Sequence, residues 1–99
     1  MKTAFIVLKS PHESDPSHML SRLAGKADAT AILIEDGVYH ALSQSSANRL
    51  NAAVAEVLVS GEDLEARGFT AQDLKTGQAV GYPEIIDCIM ERTERTITL

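Results

Sequence analysis

The sequence predicts a single α/β domain in which a mostly parallel sheet of about five short strands carries helices on both faces, giving three layers. The first indication is that apolar, β-rich runs alternate along the chain with segments that carry helix signals. The second is the run AILI at residues 31–34, because an unbroken apolar run is typical of a strand buried on both faces of a parallel sheet. A chain of 99 residues can bury one core but not two, so residues 1–99 are expected to form one domain.

Five runs rich in apolar and β-branched residues are predicted as strands. The first of them follows the N-terminus directly and is expected at the centre of the sheet. The five runs cover residues 3–8 (TAFIVL), 31–34 (AILI), 55–59 (AEVLV), 78–81 (QAVG) and 96–99 (TITL).

The segment after the first strand carries a strong helix start. Asp15 and Pro16 provide it, because an acidic N-cap followed by proline in the first turn favours a helix. The helix is expected to end at Gly25 and to pack one face on the sheet. The apolar residues at helical spacing on that face are Met19, Leu20 and Leu23.

Two further helices are predicted in the second half of the chain. Residues 61–67 (GEDLEAR) place acids in the first turn and arginine in the last, which complements the helix dipole, and Gly68 is the expected C-cap. The last helix is expected from Pro83 to around residue 93. Shorter helical segments are predicted at residues 38–42, 47–53 and 70–74, the last capped by Thr70. The buried stripe of the last helix is predicted as Ile85, Ile86, Ile89 and Met90.

The composition narrows the range of partners. The formal net charge of −5 argues against a surface built to bind the phosphate backbone of a nucleic acid directly. No apolar run approaches the length of a membrane span, and the short N-terminal run lacks the pattern of a signal peptide. The one cysteine cannot form an internal disulfide, which fits a reducing compartment. A cytoplasmic protein without direct nucleic-acid or membrane binding is therefore expected.

The segment after residues 31–34 is the predicted partner or ligand surface, because the carboxyl ends of central strands in an open α/β sheet are where ligands bind. It contains Glu35, Asp36, Gly37 and His40. A second interpretation, which the spacing favours, is that Asp36 caps the next helix or closes the turn and Gly37 supplies a positive φ. Adjacent carboxylates at a strand end point in different directions, so no acid–base pair is predicted.

The three histidines of the chain are the other potential ligands. His12, His18 and His40 match no standard zinc spacing, so no metal site is predicted and the three are expected in loops and on the surface. His12 and His40 should both follow carboxyl ends of parallel strands, which makes them candidates for ligand or partner contact. The sequence contains neither a phosphate-binding glycine loop nor a serine-nucleophile elbow, and no cofactor is predicted.

Cys88 is the only thiol and therefore the only candidate sulfur carrier in the chain. On a helical wheel it falls outside the predicted buried stripe, so it is expected to be partly exposed or to lie at a contact with another subunit. Nearby carboxylates, including Asp87 and Glu91, should raise its pKa, with Arg92 as the local counterweight. A structural role is favoured over a catalytic thiolate.

Four segments together resemble the TusB/DsrH family, whose members are small subunits of sulfur-relay complexes within the wider DsrE/DsrF-like group. The segments are VLKSP at residues 7–11, EDGVYHAL at 35–42, VLVSGEDLEARG at 57–68 and GYPEIIDCIMERTERTITL at 81–99. The resemblance covers nearly the whole chain, and its strength lies in the order and spacing of the segments. It implies a compact α/β fold with a mostly parallel sheet.

The resemblance also implies a role in an assembly. TusB/DsrH subunits join DsrE/TusD-like and DsrF/TusC-like subunits in a hexamer that passes persulfide sulfur between cysteines, toward 2-thiouridine at the tRNA wobble position or in sulfur oxidation. The principal sulfur-accepting cysteine belongs to the DsrE/TusD-type subunit. Some DsrH-type members carry a cysteine in the first helix region, but residues 15–23 contain none here and Cys88 does not match that position.

Three hypotheses about function follow. The first is an accessory, non-catalytic subunit of a sulfur-relay complex of the TusBCD or DsrEFH type, in which Glu35, Asp36, Gly37 and His40, with His12 nearby, form the contact surface. The second is a homo-oligomeric α/β interaction module with a different binding role, because fold alone does not fix function. The third is a persulfide carrier that uses Cys88.

Overall fold

In the computed structural model, which describes residues 1–99, five parallel strands form one sheet. Their order across the sheet is β4-β3-β2-β1-β5. β1 is an interior strand, as its apolar sequence indicates, but the middle position belongs to β2, because strand order is set by packing between distant segments. The strands are β1 Thr3–Val7, β2 Ala29–Leu33, β3 Glu56–Ser60, β4 Gln78–Val80 and β5 Arg95–Thr98.

β2 is buried along its whole length, which confirms the prediction from the unbroken apolar run. It pairs with β1 on one side, with Phe5 opposite Ala31, and with β3 on the other, with Ile32 opposite Leu58. A central strand with both edges paired and both faces covered has little contact with water, and mainly apolar or small side chains fit there.

The helices and short helical turns connect these strands. The four α-helices are α1 Ser17–Leu23, α2 Gln44–Ala53, α3 Gly61–Ala66 and α4 Tyr82–Asp87, and α4 continues as a π-helical turn, Cys88–Arg92. Three 3-10 segments complete the chain: Lys26–Asp28, which the sequence did not predict, Glu35–Ala41 and Ala71–Asp73. No helix combines the length and the apolar character that crossing a membrane would require.

Several of the capping signals predicted from the sequence are present at the ends of the helices. Asp15 Oδ1 accepts hydrogen bonds from the backbone N–H and the hydroxyl of Ser17, so the predicted acidic start is present. The helix begins at Ser17, however, and its N-cap residue is Pro16 rather than Asp15. Gly68 has a φ of +83° after α3, which is the left-handed C-cap that the sequence predicts. Thr70 accepts from Gln72 N–H and forms a capping box with Asp73.

The helices are distributed unequally over the two faces of the sheet. α1, α2 and α3 pack their buried leucines, Leu20, Leu50 and Leu64, on the face that carries Phe5 and Val59. α4 and its π turn pack on the opposite face, where Ile85 and Cys88 contact a cluster with Ala4, Ile32 and Leu58. The reason is that connections between parallel strands are right-handed. The connections β1–β2, β2–β3 and β3–β4 each move one position in the same direction across the sheet, so their helices lie on one face. The connection from β4 to β5 runs in the opposite direction, so α4 lies on the other face.

The predicted buried stripe of the last helix is wrong for two of its four members. Ile86 is 58% exposed and Met90 is 71% exposed, whereas Ile85 and Cys88 are buried. Because α4 is the one helix on its face, the sheet covers one side of it and nothing in the chain covers the apolar residues on the other side. On α1 the sequence expectation is also wrong for two of three residues: Leu20 is buried, but Met19 and Leu23, expected to pack on the sheet, are exposed.

A close approach between two chain segments fixes the end of β2. Gly37, in the Glu35–Ala41 turn, lies so near β1 that a β-carbon at this position would be 1.9 Å from the carbonyl oxygen of Val7. The positive φ expected of Gly37 is found instead at Glu35, whose φ is +50°. Glycine is therefore required at position 37 for space rather than for its backbone angles.

We expect Gly37→Ala to destabilise the fold by about 1–3 kcal/mol, because the added methyl group forces the turn away from β1. Gly25→Ala is the matched control, since Gly25 has a φ of −65° and open space around it. The control should stabilise the fold by about 0.4–1 kcal/mol through the unfolded chain. Urea unfolding of the two variants measures both effects, and equal unfolding midpoints would contradict the close approach.

Candidate functional site

A cleft with a volume of about 740 Å³ lies at the carboxyl edge of the sheet. It is bounded by the loop after β1, the 3-10 helix Glu35–Ala41 that follows β2, the start of α2, and Phe69 beyond α3. Clefts outside the carboxyl ends of parallel strands are the usual binding positions in such sheets. Its volume is within the range of small-molecule sites.

The walls of this carboxyl-edge cleft differ in character. One wall is apolar, where Tyr39 and Phe69 meet edge to face with ring centroids 6.0 Å apart, next to Leu42. The other is polar and contains the Arg49 guanidinium, which pairs with Asp15 at 3.2 Å and donates to Ser46. The hydroxyl side chains on this side are Ser10, Ser43, Ser45 and Ser46.

The structure brings some of the predicted site residues together in this cleft. His12 and Asp36 both line it, one from the loop after β1 and the other from the 3-10 helix. Glu35 is exposed beside it, whereas Gly37 and His40 are buried beneath it. The proposed contact surface stays a prediction, and the side chains that could touch a partner there are those of Glu35, Asp36 and His12.

His40 acts inside the fold rather than at its surface, although the sequence predicts a surface histidine. Its Nε2 lies 2.9 Å from the carbonyl oxygen of Lys9, and the side chain is 3% exposed. A carbonyl oxygen can only accept, so Nε2 carries the proton. Burial lowers the pKa of His40, and the ring is therefore neutral at pH 7. The bond ties the loop that carries His12 to the 3-10 helix.

The side chain of Asp36 forms a salt bridge with Arg67 and does not cap a helix. Its Oδ1 accepts from Nε and Nη2 of Arg67 at 3.0 and 2.9 Å, and no backbone amide donates to its side chain. The hydrogen bond from Arg67 to Asp36 and the charges of Asp36 and Asp63 raise the pKa of Arg67. The capping interpretation of Asp36 is wrong because α3, 31 residues further along the chain, supplies a stronger partner than the local backbone.

Asp63, which no sequence pattern singled out, connects three elements at this edge. Its Oδ2 accepts from the backbone N–H of Glu35 at 3.0 Å and from the hydroxyl of Tyr82 at 2.8 Å. Its own N–H donates to Ser60 Oγ, the N-cap of α3. The bond to Glu35 stabilises a backbone conformation with positive φ that glutamate rarely adopts.

The hydrogen bonds that the Asp63 carboxylate accepts keep it ionised. Burial acts to raise the pKa of Asp63, but the bonds from Glu35 and Tyr82, together with Ser60 and the charge of Arg67, outweigh it and hold the pKa below 3.8. The same bond raises the pKa of Tyr82, since the protonated phenol donates a hydrogen bond to the carboxylate. Asp63 is therefore charged and Tyr82 neutral at pH 7.

The sequence contains a partial signal for this network. Asp63 lies on α3 and Arg67, four residues later, is the C-cap residue of that helix. Both belong to the segment whose charges the sequence pattern assigns to the helix dipole. Nη1 of Arg67 does donate to the carbonyl oxygen of Asp63, but Nε and Nη2 reach across to Asp36. Tyr82, which begins α4, has no local signal, because its bond to Asp63 spans 19 residues.

The Asp63→Asn variant should lose about 1–3 kcal/mol of stability at pH 7, because charged acceptors form stronger hydrogen bonds than neutral ones. The folded-state pKa of Asp63 lies below its usual 3.8, so its ionised form stabilises the fold above that pH and the contribution is lost as pH falls through the folded pKa. The difference between wild type and variant should shrink accordingly in acid. Denaturant unfolding from pH 7 to pH 2 tests this.

The neighbouring Glu62→Gln variant is the control for that series. Glu62 is exposed and makes no hydrogen bond or ion pair in the chain. Its replacement should leave the unfolding free energy at pH 7 within about 0.5 kcal/mol of wild type. A pH-independent loss in Asp63→Asn would mean that the carboxylate charge is not what stabilises this edge.

Cys88 lies at the opposite, amino edge of the sheet. A smaller cleft there, of about 340 Å³, is lined by Lys2, Thr30, Glu56, Cys88, Arg92 and Thr93. The side chain of Cys88 is 0% exposed, so the expectation of partial exposure is wrong: Cys88 lies three residues after Ile85, on the side of the helix that faces the sheet.

The chemistry of this thiol follows from its burial. Burial raises the pKa of Cys88, Glu56 and Asp87 raise it further, and Arg92 acts in the opposite direction. The direction agrees with the sequence-based expectation, but its main cause is desolvation rather than nearby charge. The thiolate, which is the nucleophilic form, is therefore scarce at pH 7.

We expect native Cys88 to react with iodoacetamide at pH 7.5 about tenfold or more slowly than an unhindered thiol, because the thiol is both buried and protonated. The same protein unfolded in guanidinium chloride is the control and should react at the rate of a free cysteine. Mass spectrometry of the alkylated protein follows both rates. Equal rates in the native and unfolded protein would show that the thiol is accessible.

The fold and the carboxyl-edge cleft define a small α/β protein with an all-parallel sheet in the order β4-β3-β2-β1-β5. The family model of DsrH-like proteins matches residues 9–95, and the chain belongs to this family. Protein TusB of Erwinia tasmaniensis is 34% identical over 90 residues, which cover 90% of this chain and 93% of that protein. The resemblance noted in the sequence is thereby confirmed.

A solved structure has a similar fold. The solution NMR structure of protein Tm0979 from Thermotoga maritima superposes with a TM-score of 0.63 and is 29% identical in sequence. The match covers 87% of this chain and 90% of that chain. The predicted α/β class is confirmed by this similarity and by the parallel sheet.

Proposed function

We propose that this chain is an accessory, non-catalytic subunit of a sulfur-relay complex of the TusBCD or DsrEFH type. The observation that carries the proposal is the match to the DsrH-like family over residues 9–95. In such a complex persulfide sulfur passes between cysteines of the assembled subunits, toward tRNA wobble 2-thiouridine or in sulfur oxidation. The partners are a DsrE/TusD-like and a DsrF/TusC-like subunit.

The burial and the raised pKa of the Cys88 thiol favour an accessory role for this chain over the role of a persulfide carrier. A persulfide carrier must present an accessible thiolate to its donor and its acceptor. Cys88 has no exposed surface, a raised pKa, and a position at the edge of the sheet opposite the carboxyl-edge cleft. The residues of α1 and its N-terminal cap contain no cysteine that could take its place.

The carboxyl-edge cleft is the surface that we assign to the relay. Its outward-facing polar groups include His12 and Asp36, with Glu35 beside them. The network around Asp63 and the His40 bond to Lys9 hold these groups on a fixed backbone. A cleft with one polar and one apolar wall, held by these contacts, can receive the cysteine-bearing segment of a partner without itself taking part in the chemistry.

The first test is a pull-down of the tagged chain from its native host, with every co-purifying protein identified by mass spectrometry. Recovery of two small subunits, one DsrE-like and one DsrF-like, is the expected result. Recovery of the chain alone as a homo-oligomer would overturn the hetero-complex and favour the interaction module instead. Detection of a persulfide on Cys88 after incubation with a cysteine desulfurase would overturn the non-catalytic role.

His12→Ala should weaken association with the sulfur-carrying partner about fivefold, as expected for loss of a contact worth about 1 kcal/mol. His18→Ala is the matched control, because His18 is also exposed and, like His12, makes no hydrogen bond or ion pair in the chain, but lies on α1 outside the cleft. Affinity is measured by titrating the purified partner. Equal affinities for the two variants would remove His12 from the contact surface.

A further inference from the structure

The outer side of α4 leaves large apolar side chains in solvent. Ile86 is 58% exposed and Met90 is 71% exposed, and a spacing of four residues places them one turn apart on the same side of the helix. Pro83, also exposed, lies one turn before Ile86. α4 is the one helix on its face of the sheet, so no other element of the chain lies over these side chains.

An acidic rim borders this apolar stripe. Glu84, Asp87 and Glu91 are all exposed, and none of the three carboxylates forms an ion pair or a hydrogen bond within the chain. The nearest cation on the helix, Arg92, is occupied by Glu56 at 3.3 Å. The rim therefore carries carboxylates that have no directly bonded cation, beside exposed apolar surface.

We infer that the outer side of α4, formed by Pro83, Ile86 and Met90, is a docking surface for a protein partner with an apolar centre flanked by lysine or arginine. Apolar contacts would supply the binding energy, and the acidic rim would select and orient a basic partner. The inference rests on the proposed function, because it assigns a surface to one of the partner subunits. This surface is on a different side of the molecule from the carboxyl-edge cleft.

A second copy of the chain does not fit this surface symmetrically. Two-fold symmetry places the same patch of each subunit against the other, so such an interface would contain the acidic rims of both subunits. Like charges brought together in this way are destabilising, and the chain has a net charge of −5. The charge of the rim therefore favours a different protein.

The exposed apolar pair on α1 provides an internal comparison. Met19 is 52% exposed and Leu23 is 40% exposed, also four residues apart. The exposed charged residue between them is Arg22, so this pair lacks an acidic rim. The two exposed apolar pairs, on opposite faces of the sheet, therefore differ in whether acidic side chains border them.

The test uses the full tagged chain expressed in its native host. The Ile86→Ser, Met90→Ser double variant should recover about tenfold less of one partner subunit than wild type, because the apolar centre of the contact is removed. The Met19→Ser, Leu23→Ser double variant is the matched control and should recover that subunit normally. All four side chains are exposed, so both variants should fold, and thermal unfolding checks this.

A second pair of variants tests the rim. The Asp87→Lys, Glu91→Lys variant should lose the same subunit as the α4 serine variant, and wild-type recovery should fall as sodium chloride is raised. Reversing two charges elsewhere, with Glu62→Lys and Glu65→Lys on α3, should leave recovery unchanged. Recovery that is insensitive to charge reversal on α4 would overturn the basic character of the partner.

The outcomes separate this inference from the proposed function. Normal recovery of DsrE-like and DsrF-like subunits by the α4 variants would overturn the docking surface and leave the proposed function intact. Loss of only an unrelated protein from the α4 variants, with both relay subunits recovered normally, would overturn the assignment of this surface to a relay subunit. A wild-type chain recovered alone, or bound only to its own copies through α4, would overturn both.

Discussion

The carboxylate of Asp63 is the interaction on which the carboxyl edge of this protein depends. One oxygen accepts from the Glu35 amide and from the Tyr82 hydroxyl, and so joins the end of β2 to α3 and to the start of α4. The Glu35 bond holds a positive φ that turns the chain into the 3-10 helix Glu35–Ala41. That turn places Asp36 against Arg67 and Gly37 against β1. The shape of this edge therefore depends on contacts between elements that are far apart in the chain.

The two edges and the two faces of the sheet have different properties, and this division suits a subunit that acts through its surfaces. The carboxyl edge presents a polar cleft with an aromatic wall, whereas the thiol is enclosed at the amino edge with a raised pKa. One face is covered by α1, α2 and α3, and the other by α4 with its π turn. A domain of this size with one helix on a face exposes part of that helix, and here the exposed part is apolar and bordered by acids. Such a surface is the kind that assembly with a different protein covers.

Much of the fold could be predicted because it is encoded in local patterns. The unbroken run that forms β2, the acidic start at Asp15, the C-cap at Gly68 and the capping box at Thr70 each involve residues within a few positions of one another. The candidate site could be predicted in position, since His12 and Asp36 do line one cleft. The hydrogen bonds of Asp63 and Arg67 that connect the elements at this edge could not be predicted. In the sequence, the charges of these two residues are explained equally well by the helix dipole.

The sequence by itself therefore determined the alternation of strands and helices and the parallel sheet, because these depend on hydrophobic period, capping and chain direction. Only the tertiary structure decided that β2 is central, that Cys88 is buried and that Ile86 is exposed. Periodicity shows that a helix has apolar residues on more than one side, but it does not show which side meets the sheet. For α4, the side that meets the sheet is set by packing, because this helix alone covers its face. Contacts between residues far apart in the chain, such as Asp36 and Arg67, are likewise decided only by the tertiary structure.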